Sequence, residues 1–450
     1  MEENKMLKKI VINTELPGPK AREIINMDSK FLATSTKSLP VVACRASDCY
    51  IEDVDGNVFL DFSSGISTSN IGYSNSHLIS AVEDQMHKMW HFAGTDFYYK
   101  IQVDAAEALI NVMPGSRDKK VFFTNSGTES NEASIKFAKS FTKRPQFIGF
   151  IGGFHGRTMG SLAFTASKAT HHEYFYPEMP GVHHIPFADP YRNPFGIDGY
   201  EDPENLTGAV VGYLKDYVLD RYVPAESVAG ILAEPIQGEG GYIVPPKYFH
   251  KRMMELAHEY GMLYIMDEVQ TGFGRTGYFF ASEYFGIDPD IMSLAKSIAS
   301  GIPMGASIVK SKYDFEKSGL HSNTFGGNML ACAASIATID EIKSKKMVEN
   351  SNKMGFYLNK RLRELQEKYP SIGDVRGLGL MQAIDFVMDA KSKKYNKKLR
   401  DNVIESSFKK GLILLGAGES AIRFIPPLII REEQINDAME ILDNSIKENL

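Results

Sequence analysis

Three short apolar runs end in residues that could act together on one small molecule. Residues 291–294 lead into Ala295-Lys296-Ser297, residues 262–266 into Asp267-Glu268-Val269-Gln270, and residues 121–123 into Thr124-Asn125-Ser126-Gly127-Thr128-Glu129. A lysine amine can form an imine with an aldehyde, and a carboxylate can hold a ring nitrogen protonated. A helix start carrying glycine and hydroxyls offers N–H donors to a phosphate. Pyridoxal 5'-phosphate (PLP) makes those three demands of its protein at once. Taken singly, each residue has an ordinary reading: Ser126 as a helix N-cap, Asp267 as a capping or core carboxylate, Lys296 as a structural lysine past a strand. The combination favours the cofactor. The helix dipole supplies only ~0.3–1 kcal/mol, so several donors must act together around Ser126, Gly127 and Thr128. A carboxylate about 4 Å from a protonated ring contributes roughly 4 kcal/mol at an effective dielectric of 20, enough to keep that ring cationic. No G-x-x-x-x-G-K-[ST] pattern occurs, which counts against a nucleoside triphosphatase.

The elements that must carry these residues are those of an α/β protein. Apolar runs at 121–123, 147–151, 229–233, 263–266, 291–294 and 306–309 alternate with amphipathic stretches such as 130–141 and 248–259. That alternation predicts a mostly parallel sheet with helices on both faces, occupying a large domain over 76–330. Ligands gather beyond the carboxyl ends of such strands. Ser126, Phe154, Glu234, Asp267 and Lys296 each follow a different predicted strand, so five strand ends point to one rim. Residues 1–75 read as an N-terminal arm and hairpin segment, with a helix over 20–31 and a hairpin over 50–60 turning at Asp55-Gly56-Asn57. Residues 331–450 read as a smaller α+β domain that opens with a helix over 331–345 and has strand signals over 378–386 and 412–415. The stretch 171–200 is rich in aromatics, His and Pro with little periodicity, and is expected to be an ordered surface excursion.

With 450 residues, 43% of them hydrophobic, the chain can bury a large core. Its formal charge, 50 − 56 = −6, is spread without long runs of one sign, so no nucleic-acid partner is expected. Cys44, Cys49 and Cys332 lack metal-ligand spacing and read as reduced thiols. The histidine pairs 171–172 and 183–184 have no acidic or cysteine companions, and no metal site is expected. No apolar stretch approaches the ~20 residues of a membrane span. Residues 1–9 are polar and charged, without the apolar segment of an export signal. A soluble cytoplasmic protein is expected.

Longer motifs sharpen the picture: Ser126-Gly127-Thr128-Glu129, Gly153-Phe154-His155-Gly156-Arg157-Thr158, Glu234-Pro235-Ile236-Gln237-Gly238-Glu239-Gly240-Gly241, Asp267-Glu268-Val269-Gln270 and Ala295-Lys296-Ser297. On these, and over about residues 54–428, the chain resembles the class III PLP-dependent aminotransferases. That family holds 4-aminobutyrate, ornithine and acetylornithine aminotransferases, and some amino-acid racemases are similar to it. The resemblance implies PLP fold type I: a mostly parallel seven-stranded sheet flanked by helices, plus a smaller α+β domain from the N-terminal segment and the C-terminal part. It makes Lys296 the Schiff-base lysine and proton carrier, and sets Asp267 at the pyridine nitrogen. Val269 and Phe154 then lie on the two ring faces, Gln270 near the phenolic oxygen, and Glu234 among the cofactor-binding residues. Ser126, Gly127 and Thr128 cradle the phosphate, and Glu268 is structural. Thr324, in His321-Ser322-Asn323-Thr324-Phe325-Gly326-Gly327-Asn328, would touch the phosphate held by a second subunit, which implies a homodimer with shared active sites, or a dimer of such dimers.

For substrate, the resemblance implies Ile66 as an apolar wall and Arg157 as a ligand for a distal carboxylate. Arg423 would bind the α-carboxylate of glutamate or 2-oxoglutarate, and Glu239 would cover Arg423 while an ω-amine is bound. The implied reaction moves an amino group from an ω-amine or amino acid, of 4-aminobutyrate or ornithine type, to 2-oxoglutarate by a ping-pong mechanism. An amino-acid racemase or epimerase on the same scaffold is the alternative. The chain departs from many relatives in having Phe154 in place of Tyr, and Gly72-Tyr73-Ser74-Asn75-Ser76-His77 where Gly-His-x-His-Pro is frequent. His155 is expected to pack or hydrogen-bond rather than to act as an acid or base.

Overall fold

The computed structural model describes residues 7–450; residues 1–6 of the expected N-terminal arm lie outside the described residues. Three strands come first: β1 (Ala43–Ser47), β2 (Tyr50–Asp53) and β3 (Val58–Asp61). Seven follow: β4 (Lys119–Thr124), β5 (Gln146–Phe150), β6 (Val182–Ile185), β7 (Val228–Ala233), β8 (Leu263–Asp267), β9 (Ile291–Leu294) and β10 (Gly305–Lys310). The last are β11 (Ile372–Leu378), β12 (Met381–Phe386), β13 (Leu412–Ile413), β14 (Leu415–Ala417) and β15 (Ala421–Phe424).

The seven central strands form one sheet in the order β4-β10-β9-β8-β7-β5-β6. Only β10 runs against the rest, so the carboxyl ends of the other six share one rim. This is the large, mostly parallel sheet of the expected fold class, with a smaller antiparallel sheet, β11-β12-β15-β14, formed by the C-terminal part. The register does the positioning. Asp267 pairs with Ser293 across β8 and β9, and Ala233 pairs with Met266 across β7 and β8. Lys296 therefore stands three residues past the level of Asp267, and Glu234 stands level with Asp267 on the other side.

The helix Gly127–Thr142 lies over this sheet on small hydroxylated side chains. Ser130 Oγ donates to Leu294 O at 2.9 Å, and Ser134 Oγ is 2.8 Å from both Ser293 Oγ and Ser307 Oγ. Short side chains let helix and sheet approach closely while satisfying each hydroxyl, which fixes the helix start at the rim.

Two expectations need correction. The stretch 171–200 is not only a surface excursion, because it supplies β6, the edge strand beside β5. That strand is four residues long with His183 and His184 at its centre. It has no apolar run to announce it, and its histidines are taken up by Gln146 Oε1 at 2.6 Å and Phe164 O at 3.2 Å. Nor is 412–415 a single strand. Leu412–Ile413 pairs in parallel with β3, completing a sheet β1-β2-β3-β13, and Leu415 begins β14 in the C-terminal sheet. Leu414, fully buried, sits between the two sheets. The signal over 378–386 resolves into β12, with Leu378 closing β11 before the turn.

Backbone bonds knit the N-terminal segment to the C-terminal part: Ile425 N donates to Phe62 O at 2.9 Å and Leu428 N to Asn70 O at 2.8 Å. Among the described residues no helix is long and apolar enough to cross a membrane, and no cluster of three or more His, Cys, Asp or Glu side chains could hold a metal.

Glu268, beside Asp267, is fully buried and faces away from the rim. Its carboxylate accepts from Thr271 Oγ1 (2.6 Å), Ala281 N (3.0 Å), Ser282 N (2.6 Å) and Ser282 Oγ (2.7 Å). Glu268→Ala would leave those donors unpaired in a dry interior, at about 1–3 kcal/mol for each stranded group. A loss of about 3–5 kcal/mol is expected in chemical denaturation of the cofactor-free protein.

Candidate active site

Ser126, Phe154, Glu234, Asp267 and Lys296, from five strand ends, line one cavity of about 1570 Å3. Asp267 is buried at its floor and well held. Its Oδ2 accepts from Asn131 Nδ2 at 2.7 Å and lies 2.8 Å from His155 Nδ1, while Oδ1 accepts from Val269 N at 3.0 Å. Asn131 also donates to His155 O at 2.7 Å, so carboxylate, imidazole and amide form one buried network. His155 thus hydrogen-bonds, as its motif suggested. Its Nδ1 carries the hydrogen, since the neighbouring carboxylate can only accept.

Beside this floor is the helix start. Ser126 caps it, accepting from Glu129 N at 3.3 Å, while Glu129 Oε2 accepts from Asn125 N at 2.6 Å. Gly127 and Thr128 contribute first-turn N–H groups, which a helix leaves without internal acceptors. A Cβ on Gly127 would lie 2.8 Å from Val269 Cγ1, so a larger residue there would push the helix start away from the loop after β8. Phe154 lies edge-on to His171, with ring centroids 5.6 Å apart, and the Arg157 guanidinium carbon is 5.7 Å from its ring.

Electrostatics distinguish the amine and the two glutamates. Enclosure in the cavity pulls the Lys296 ammonium below its ordinary range, against the opposing pull of Asp267 and Glu234. Desolvation penalises the charged form of a lysine, so more of this amine is neutral at a given pH. Burial also pushes Glu234 up to about 7; His155 opposes that shift and Asp267 reinforces it. Its oxygens accept from Phe154 N and Gly238 N, each at 3.1 Å.

Glu239 behaves in the opposite way. Burial would raise it, but Arg423 and Lys168 outweigh burial and hold it below the usual carboxylate range. Its Oε2 lies 3.4 Å from Arg423 Nη1 and its Oε1 2.5 Å from Lys168 Nζ. The backbone around it is tied to the C-terminal sheet. Gly418 N donates to Glu239 O at 2.7 Å, and the buried Arg376 donates to Gly241 O from Nε (3.0 Å) and Nη2 (2.7 Å).

Of the residues expected at the site, Ile66, Ser126, Gly127, Thr128, Phe154, Arg157, Glu234, Glu239, Asp267, Val269, Gln270, Lys296 and Arg423 all border this cavity. Arg157 is exposed at its mouth. Thr324 is also exposed and does not border the cavity; its expected place is against a second chain. Two contributors escaped the sequence reading. Asn131 lies four residues after Gly127, one helical turn along the same face, and that i,i+4 spacing was the available signal. Lys168 sits in an irregular loop and nothing in its neighbourhood distinguishes it from a surface lysine.

The model of the family described as "Aminotransferase class-III" matches residues 31–446. The chain belongs to this family. Its members are PLP-dependent, and the residues present fit that cofactor: an enclosed amine, a buried and hydrogen-bonded carboxylate, and a helix start whose glycine packs closely against Val269. An alanine/serine racemase of Pyrococcus horikoshii is 37% identical over 446 residues, covering 98% of this chain and 93% of that protein. An acetylornithine aminotransferase of Archaeoglobus fulgidus is 38% identical, covering 93% and 99%. An amine transaminase of an uncultivated Pseudomonas species, solved in a PLP-bound form, superposes with a TM-score of 0.86 at 28% identity, covering 93% of this chain and 98% of that one.

The lowered Lys296 ammonium has a measurable sign. In cofactor-free protein, acetylation by acetic anhydride, followed by mass spectrometry of the Lys296 peptide, should reach its half-maximal rate at a lower pH than for a free ε-amine. An equal or higher midpoint would contradict it.

Proposed function

We propose that this protein is an aminotransferase that moves the amino group of an ω-amine or amino acid, of 4-aminobutyrate or ornithine type, to 2-oxoglutarate by a ping-pong mechanism. The Glu239–Arg423 pair carries this reading. A guanidinium facing the cavity with a carboxylate at 3.4 Å has two uses. Covered by Glu239, it presents a neutralised surface to the cationic end of an amine. Uncovered, it offers paired N–H donors to a substrate α-carboxylate. Lys168, on the other oxygen of Glu239, gives that carboxylate a partner while Arg423 is engaged. Arg157, exposed at the mouth, is placed to receive a distal carboxylate.

PLP, when bound, supplies the aldehyde and an electron-accepting ring. Ser126, Gly127 and Thr128 would hold its phosphate, and Asp267 would keep the proton on its ring nitrogen. Phe154 and Val269 would bracket the ring, with Gln270 and Glu234 at its edge. Lys296 Nζ, uncharged more readily than a free amine, takes the proton from the amine-bearing carbon of the substrate and delivers it to the acceptor carbon. The same reading includes domains over 1–75, 76–330 and 331–450, a cytoplasmic location, and a homodimer in which Thr324 reaches the phosphate cradle of a second copy.

A second reading is amino-acid racemisation, and the 37% identity to an alanine/serine racemase supports it. It requires only that the proton return to the opposite face of the same carbon. Incubation with a donor amine and no oxo acid separates the two. Loss of the cofactor's absorbance at the visible edge supports transamination, and none with any amine tested would overturn it. Appearance of D-isomer from an L-amino acid, without oxo acid, would favour racemisation.

Within the aminotransferase reading, Arg423→Met removes charge-assisted bonds worth about 1.5–3 kcal/mol. It is expected to raise KM for 2-oxoglutarate about 10–100-fold while changing the half-reaction with an ω-amine only a few-fold. Steady-state and single-turnover kinetics check both halves.

A further inference from the structure

Four consecutive residues, of which Ile66 borders the active-site cavity, have left-handed backbone: Ser64 (φ 43°), Gly65 (φ 61°), Ile66 (φ 64°) and Ser67 (φ 61°). Ser67 N donates to Ser63 O at 3.0 Å and Thr68 N to Ser64 O at 2.9 Å, closing the turn. Glycine takes such a conformation freely, but a β-branched residue resists it. Ile66 gains little burial in return, since it stays 45% exposed beside the cavity. Strain of this kind persists only where the surroundings over-determine it.

Arg275 is the surrounding group that does so. It is completely buried, and no carboxylate lies within ion-pair distance of it among the described residues. Burial lowers its guanidinium to about 10, leaving it charged near neutrality. Its Nη2 donates to Ser64 Oγ at 3.1 Å, in the first residue of the turn, and to Asn70 Oδ1 at 2.5 Å, three residues past Ser67. Its Nη1 donates to Leu380 O at 3.1 Å and Pro426 O at 2.5 Å, in the C-terminal part and three residues past Arg423. The turn is also bonded to the cofactor side of the cavity: Ser297 Oγ donates to Ser67 O at 2.6 Å, and Ser67 Oγ to Gln270 O at 3.3 Å. A buried cation without a directly paired carboxylate is costly, and Asp61 offsets that only from a distance. Here its forked geometry joins three segments in a way a lysine's point charge cannot.

We propose that Arg275 is a positioning residue for substrate selectivity: it holds the left-handed turn so that Ile66 stands as a fixed wall of the amine site and discriminates substrates by branching next to the reacting carbon. This rests on the reading that amines react beside Lys296.

A double-mutant cycle tests it on the PLP-loaded enzyme with two isomeric amino acids, L-norvaline and L-valine. The readout is the rate at which each perturbs the cofactor absorbance. Arg275→Lys is expected to move the norvaline-to-valine ratio about tenfold towards unity, and to move it hardly at all in the Ile66→Asn background. Equal slowing of both amino acids, or an undiminished shift in the Ile66→Asn background, would overturn the proposal. Thermal unfolding supplies an independent arm. Ile66→Asn relieves the backbone and is expected to raise Tm by about 2 °C. Arg275→Lys should then lower Tm less in that background than in the wild type, and strict additivity would overturn the proposal. If Arg275→Lys does not fold, Ser64→Ala, which removes one of the four bonds, runs through the same cycle. Should the wild type respond to no amine, the reading beneath the proposal fails, and the Tm coupling alone decides whether Arg275 holds the turn.

Discussion

A carboxylate buried at a strand tip has to be held by donors, and much of this molecule is arranged to hold one. Asp267 is reached by an amide from the helix Gly127–Thr142, by an imidazole from the loop after β5, and by the backbone of its own loop. For the amide to arrive, that helix must start at the rim and lie close to the sheet, which the serine contacts to β9 and β10 achieve. For the imidazole to arrive, the β5 loop must fold back under the cavity. Once these are in place, the parallel register sets Lys296 and Glu234 on either side without further adjustment. The cofactor chemistry of the family follows from this frame.

The parts visible in the sequence are those written in local pattern. Six of the seven central strands announce themselves as apolar runs, and the functional residues come just after them, where parallel sheets gather their ligands. The hairpin at Asp55-Gly56-Asn57 is equally plain. What escaped is set by tertiary partners. β6 exists because β5 offers it an edge, and its histidines find Gln146 and Phe164 only in the folded chain. The division of residues 412–415 between two sheets depends on β3, more than 350 positions earlier. Lys168 became meaningful only beside Glu239. The left-handed turn at Ser64–Ser67 has no local signal, because the groups bonded to it, Arg275 and Ser297, come from distant segments.

The Glu239 end of the cavity is held differently from the Asp267 end. Around Asp267 every partner is close and enclosed. Around Glu239 one carboxylate is shared by two cations, and its side chain remains partly exposed. A group balanced between two partners can trade one for the other at small cost, whereas Asp267 cannot leave its donors without stranding them. The cavity therefore joins a fixed half to an adjustable half.

Glu239 and Arg423 differ in sequence position by nearly two hundred residues, yet their main chains belong to one body. Gly418 and Arg376 fasten the Glu239 loop to the same sheet that carries Arg423. Should that sheet rock against the larger one, both would be carried along with their spacing preserved. Parting them thus falls to torsion about side-chain bonds rather than to the far slower swing of a whole layer.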